Sequence, residues 1–171
     1  PYLRFCLQAV SNRELELLIS LNEEISAWKL TREIREAGKS QGSQMIRMIR
    51  EIYQCPVSDE FQKMLSKSGE QCQQITATAL LRKAQGVPLA SSMTVWIYQA
   101  VSNFCSASIK LLRLGEIACQ KIIHRSLEKQ KIQKVIFNSL EVHREKSGFF
   151  NPLLDLASAR HELAFSRLFI S

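Results

Sequence analysis

Helix breakers are scarce in this chain: six glycines and four prolines are spread over 171 residues. The intervals between them leave room for long helices. No run alternates apolar and polar positions over a useful length, so a sheet has nothing to build on. No apolar stretch approaches the roughly 20 residues of a membrane span, and no membrane partner is expected. No secretory signal pattern opens the chain. Histidine is limited to His124, His143 and His161. None of them stands beside a Ser or Cys in a nucleophile motif, and no Gly-rich loop is present to cradle a phosphate. Catalysis is therefore not expected. Cys6, Cys55, Cys72, Cys105 and Cys119 are odd in number, and no two have metal-knuckle spacing. That usage suits buried thiols in a reducing cytoplasm. No two of the histidines and cysteines fall three or four apart on a helix, so no tightly held metal and no resident cofactor is expected.

What is present is enough for one helical domain with a core. Hydrophobic residues make up 46% of the chain, which argues against disorder. The net charge of +7 is uneven: residues 1–109 hold 12 basic against 10 acidic side chains, and residues 110–171 hold 11 against 6. Two readings stay open, a solvated basic face and a surface for an acidic partner. A basic helical nucleic-acid-binding module is the alternative from another class. It would want Lys and Arg clustered with aromatics on one element. Here the basic residues alternate with Glu and Gln, so no nucleic-acid partner is expected.

Helical periodicity runs through the whole chain and predicts an all-α bundle of about seven or eight helices. Ser11 and Glu14 have the spacing of a capping box, and Leu15, Leu18, Ile19, Asn22, Ile25 and Trp28 follow at helical steps towards Gly38. Met45, Ile46, Ile49, Ile52 and Tyr53 mark a second helix, ended by Cys55-Pro56. Ser58 is placed to cap a short helix through Phe61 and Leu65, before a loop at Lys67-Ser68-Gly69. Residues 70–85 read as a helix closed by Gly86, with Pro88 preventing continuation. A mostly apolar helix begins at Ser91 or Ser92 and is expected to be the central, most buried one. Gly115 interrupts it, and one long amphipathic run follows to Leu140. Ser147-Gly148 is a loop.

The end of the chain is its most specific part. Asn151 and Pro152 open a helix, with the polar cap and the proline at the first helical position. Leu154, Ser158, His161, Phe165 and Leu168 share one face. Leu156, Arg160, Leu163 and Arg167 share the next. The chain finishes on Leu168-Phe169-Ile170-Ser171, an apolar end of the kind usually docked against something.

Pro152, Leu153, Leu154, Asp155, Ala157, Ser158, His161, Glu162, Arg167, Leu168, Phe169 and Ser171 together resemble the closing signature of the urease accessory protein UreF family. Further blocks are similar to it. Asn22, Ala27, Glu33, Arg35, Glu36 and Ala37 resemble a family helix, with Gly38 where Ser is usual and Gly42 at a later family glycine. Gly86-Val87-Pro88 resembles a family turn. Lys110, Leu111, Leu114, Gly115 and Glu116 resemble another, with Arg113 in place of a proline and Gln120 at a later glutamine. Gln73-Gln74 stand near a position where the family often has His. The family's glycine-rich N-terminal motif is absent, and with Pro1 in place of a Met the chain reads as a form lacking its natural start, a single UreF-like domain over residues 1–171.

The resemblance implies a cytoplasmic helical scaffold, not an enzyme, in the assembly that loads nickel into urease. It implies homodimerisation and three partners: UreD (also called UreH), the GTPase UreG and the urease apoenzyme. Nickel would pass only transiently. Arg160, Arg167, Leu168, Phe169, Ile170 and Ser171 are the candidate contacts to UreD, since an arginine beside apolar groups is a usual interface anchor. Packing back on the same bundle is the competing reading of that tail. Arg35, Glu36, Lys110, Arg113 and Glu116 are weaker candidates for contact with UreG or a second copy, with a local salt-bridge role equally open.

Overall fold

The computed structural model describes residues 1–112, 114–148 and 151–162. Among them are nine α-helices, a single 3-10 turn and no strand. The chain divides into two compact units, Pro1–Gly86 with His143–Ser171 and Val87–Val142.

The first unit begins with a helix that the sequence reading did not expect, α1 (Tyr2–Asn12). Leu3, Cys6, Leu7 and Val10 recur at helical steps and are buried. Ser11 belongs to the last turn of α1 and caps nothing, which corrects the expected capping box. The reversal is made instead by the backbone: Arg13 takes the left-handed conformation (φ 59°) and Glu14 N donates to Ala9 O at 2.9 Å. Next come α2 (Leu15–Trp28) and α3 (Arg32–Tyr53). Helix α3 continues through Gly38, where a boundary was expected, and through Gly42, and both glycines are buried. Then α4 (Pro56–Ser68) starts on Cys55 with Pro56 in its first turn. Ser58 lies inside it, buried with its hydroxyl unpaired, and is not the cap. Gly69 closes α4 at φ 72°.

Helix α5 (Gln74–Ala84) is the hub of this unit and packs on α1, α2 and α3. Thr76, Ala77, Thr78, Ala79, Leu80 and Leu81 are all buried in succession. Their mostly small side chains let neighbours close on every side. Phe61, Leu18, Leu21, Ile49, Leu65 and Val10 fill the surrounding core at 0% exposure. Burying each such side chain contributes about 1.5–3 kcal/mol.

The chain returns to this unit through a 3-10 turn (Arg144–Lys146), held to α2 by charge. Arg144 Nε donates to Glu24 Oε2 at 3.2 Å and its NH2 group to Ser20 Oγ at 2.7 Å. Tyr2 Oη donates to the same Glu24 carboxylate at 3.1 Å, and Trp28 Nε1 donates to Tyr2 Oη at 2.8 Å. The Arg144 guanidinium, by hydrogen bonding, holds the Glu24 carboxyl below its usual value of 4.5. Such a group stabilises the fold above its unfolded-state pKa, and the contribution is lost as pH falls through the lower folded value. Glu24→Gln is therefore expected to melt below wild type at about pH 7, and the gap is expected to close on the way to about pH 3. Thermal unfolding followed by circular dichroism reads this directly. A constant gap would remove Glu24 from the acid response.

The second unit contains α6 (Leu89–Leu112), α7 (Glu116–Ser126) and α8 (Lys129–Glu141). Helix α6 starts on Pro88, before Ser91, and Ser92 N donates to Pro88 O at 2.9 Å. It is not the most buried helix: Tyr98, Phe104, Leu111 and Leu112 are exposed, Phe104 by 72%. That role falls to α5. Cys105 of α6 meets Cys119 and Ile123 of α7, with Val101, Leu114 and Leu127 packed round them. The expected single run to Leu140 is two helices. Leu127 is drawn onto this cluster, and Glu128 turns extended to start α8.

Candidate functional site

A polar pocket of about 340 Å³ lies in the first unit, where α3 begins. The sequence builds it in three steps. Helix α2 stops at Trp28, and Lys29 follows in extended conformation. Thr31 then opens α3, which contributes Glu33, Ile34, Ala37, Gly38 and Gln41 to the wall. Gln74 comes from the start of α5, and Ser158 and His161 come from α9 (Pro152–Glu162). Asn151 does cap α9: its side-chain oxygen accepts from Leu154 N at 3.2 Å. The expected face of α9 is the one turned to α3. Ser158 Oγ and Thr31 Oγ1 are 2.9 Å apart, and His161 Nδ1 lies 2.8 Å from Glu33 Oε2.

Lys29 stands at the inner end. Its Nζ donates to Gln73 Oε1 at 2.6 Å. Among the described residues no carboxylate comes within ion-pair distance of it. Burial pushes its pKa down. Gln73 is fully buried, and among the described residues its Nε2 has no partner.

Residues 70–73, which join α4 to α5, pass between Asn22 of α2 and Gly42 of α3, with Gln73 extended. Asn22, at 0% exposure, holds this segment from one side: its Nδ2 donates to Gln71 O at 3.0 Å and its Oδ1 accepts from Gln73 N at 2.8 Å. Gly42 lets it approach α3 on the other side, since a Cβ there would lie 2.0 Å from Cys72 O. A Cβ at Gly38 would lie 1.9 Å from Lys29 Nζ. The two glycines thus serve different ends, one the backbone crossing and the other the room for an ammonium.

The described candidate contact residues fall in both units. Arg160 is exposed on α9, while Arg167, Leu168, Phe169, Ile170 and Ser171 lie outside the described residues, as do Phe165 and Arg113. Arg35 is half-buried and donates to Lys29 O at 3.1 Å, so it braces the backbone at the pocket. Glu36 is exposed and pairs with Lys39 at 3.3 Å. Lys110 belongs to α6, and Glu116 is exposed in the first turn of α7. Lys29, Gln41 and the Glu24–Arg144 pair were not singled out in the sequence. Gly42 and Gln73 were noticed only as positions in a resemblance, and Asn22 there and as one step of a helical face.

All five cysteines are free and buried. Burial pushes the Cys6 thiol up to about 12 and raises Cys72 and Cys119 as well. Among the described residues no group of three His, Cys, Asp or Glu side chains is placed to hold a metal, and no helix is long and apolar enough to cross a membrane. The second unit adds an apolar groove of about 840 Å³, with Ile132, Ile136, Phe137 and Leu140 of α8 on its wall and Lys129 and Lys134 beside them.

The geometry is that of an all-α protein with exposed apolar helix faces. Comparison with known sequences supplies the family. The UreF family profile matches residues 1–127. The chain is 24% identical over 169 residues to the urease accessory protein UreF of Arthrobacter sp. (strain FB24), covering 99% of this chain and 72% of that one. It is 24% identical over 169 residues to the protein of the same name from Streptococcus salivarius (strain 57.I), with 99% and 70% covered. To that of Actinobacillus pleuropneumoniae serotype 5b (strain L20) it is 25% identical over 170 residues, with 99% and 74% covered. The chain belongs to the UreF family of urease accessory proteins.

Proposed function

We propose that the chain is a non-catalytic scaffold of urease maturation in the cytoplasm, working as a homodimer that bridges UreD (UreH) and the GTPase UreG. In this reading it couples GTP hydrolysis to the release of nickel towards the urease apoenzyme, and nickel passes without a tightly held site. The supporting observation is the family match over residues 1–127, with similarity to relatives named urease accessory protein continuing over 99% of the chain. Physical support comes from the second unit. Phe104, Ile117, Val135 and Phe137 are exposed by more than half. Apolar groups left to water at this density mark surfaces that meet other proteins.

The C-terminal residues are the proposed hold on UreD, with Arg160 on the exposed side of α9 and Arg167 through Ser171 beyond it. Removing residues 167–171 is expected to weaken capture of UreD by about tenfold or more, the usual consequence of losing an arginine and aromatic anchor. Co-purification with UreD and UreG, read by size and by nickel-dependent urease activation, checks it. A folded deletion protein that still captures UreD at full strength would refute the tail's role.

A further inference from the structure

We propose that the pocket at the start of α3 is a carboxylate-binding site in which Lys29 is the anchoring cation. The observation that carries it is an ammonium whose hydrogen-bond partner is a neutral amide. The Lys29 ammonium is partly withdrawn from water, its hydrogen bond is to a neutral amide oxygen, and among the described residues it has no ion pair. A cation held that way gains from an anion far more than a solvated surface lysine does.

A second observation points the same way. The Gln73 amide, whose oxygen accepts from Lys29, is fully buried, and among the described residues its Nε2 has no partner. Native proteins seldom leave such a donor without a partner. Gln41, Gln74 and Ser158 line the pocket itself, which Gln73 does not, and supply hydrogen-bonding groups there. Gly38 holds the space open, because any Cβ there would strike Lys29 Nζ.

The shape and charge also select among anions. A volume of about 340 Å³ accepts a side-chain carboxylate with a few neighbouring atoms. Glu33 stands in the wall with its Oε2 against His161 Nδ1. One ammonium beside one carboxylate offsets little more than a single negative charge, which favours a singly charged ligand over a dianion such as phosphate. A metal cation would find a lone carboxylate already engaged and an ammonium opposing it. The carboxylate has two sources, a Glu or Asp side chain of another protein and a free small acid. The site stands apart from the urease-maturation reading, since its probes contain no partner protein.

The experiment uses the full chain labelled with ¹⁵N, titrated separately with acetyl-Ala-Glu-Ala-amide, with the Gln version of that peptide, and with sodium acetate. The Glu peptide is expected to move the amide signals of Gly38, Gln73 and Gln74, and the Gln peptide to leave them in place. Lys29→Met is expected to weaken half-saturation about tenfold or more, and Lys29→Arg to retain most of it. Movement with acetate at similar concentration assigns a free acid; movement with the Glu peptide alone assigns a protein side chain. Both support the site. Equal response to the Glu and Gln peptides, no response to any probe, or unweakened binding by Lys29→Met overturns it. Should Lys29→Met fail to fold, wild type still decides: the Glu peptide, and not the Gln peptide, must protect Lys29 from acetylation.

Discussion

Gly42→Ala is expected to lower the unfolding free energy by about 3 kcal/mol, the upper part of the range for overpacked interiors. For a chain of this size that is a fall of roughly 6–12 °C in melting temperature. Two effects oppose each other. Alanine in a helix is worth about 1 kcal/mol more than glycine, so propensity alone predicts a gain. The added Cβ, however, would sit 2.0 Å from Cys72 O, 2.7 Å from Cys72 C and 2.8 Å from Gln73 C. All three are backbone atoms of a segment fixed on its far side by Asn22, so nothing can swing away. The steric cost wins. Gly38→Ala is the internal control, because its nearest clash is with the flexible end of Lys29. It should cost less than Gly42→Ala while filling the pocket. Calorimetry on both variants settles the order. A neutral or stabilising Gly42→Ala would mean that residues 70–73 do not cross α3 there.

What could be read from the sequence was mostly local chemistry. The start of α9 was legible because a side-chain cap and a proline act within one turn, and the structure has Asn151 doing what its position suggests. Gly69 and Gly86 were legible as stops for the same reason, and both take positive φ (72° and 66°). Gly38 misled because a glycine's helix-breaking tendency is about 1 kcal/mol, less than the gain from tertiary packing. Ser11 and Glu14 had the right spacing for a cap, but Leu3, Cys6, Leu7 and Val10 had already committed Ser11 to α1. Helix α6 looked central because it is apolar, whereas burial followed small size at Ala77 and Ala79 and position at Thr76 and Thr78. The pocket was the least legible part. Lys29 and Gln73 are 44 residues apart, and their meeting depends on the crossing of 70–73 over α3. Family resemblance marked Asn22, Gly42 and Gln73 as positions without saying what they do. The exposed Arg160 and Glu116 remain readable only as surface chemistry, since a partner's shape is written in the partner.

Asn22→Leu is the second large loss, expected at about 2–3 kcal/mol. Leucine has asparagine's branching and a larger volume, so the cost is not a cavity. It comes from the two backbone groups that Asn22 serves. Gln73 N is buried and would keep no acceptor, which carries the full penalty of an unpaired donor. Gln71 is exposed, so its carbonyl can turn to water and adds less. The distinction is measurable: amide exchange at Gln73 should rise further than the drop in global stability accounts for, because the segment loses its tie to α2. Asn22→Asp sharpens the test. Its carboxylate can still accept from Gln73 N, but the oxygen replacing Nδ2 then faces Gln71 O, acceptor against acceptor. Burial and that opposition raise the aspartate's folded-state pKa above its unfolded value. The variant's stability is therefore fully present below the unfolded pKa, where the acid is protonated and can donate to Gln71 O, and it is lost as pH rises through the folded value. Asn22→Asp should thus approach wild type in acid and fall away towards neutrality, a gap that runs with pH in the same direction as that of Glu24→Gln, although here the titrating group is in the variant and its folded-state pKa is raised. A pH-independent loss in Asn22→Asp would place the side chain in water and remove it from the crossing.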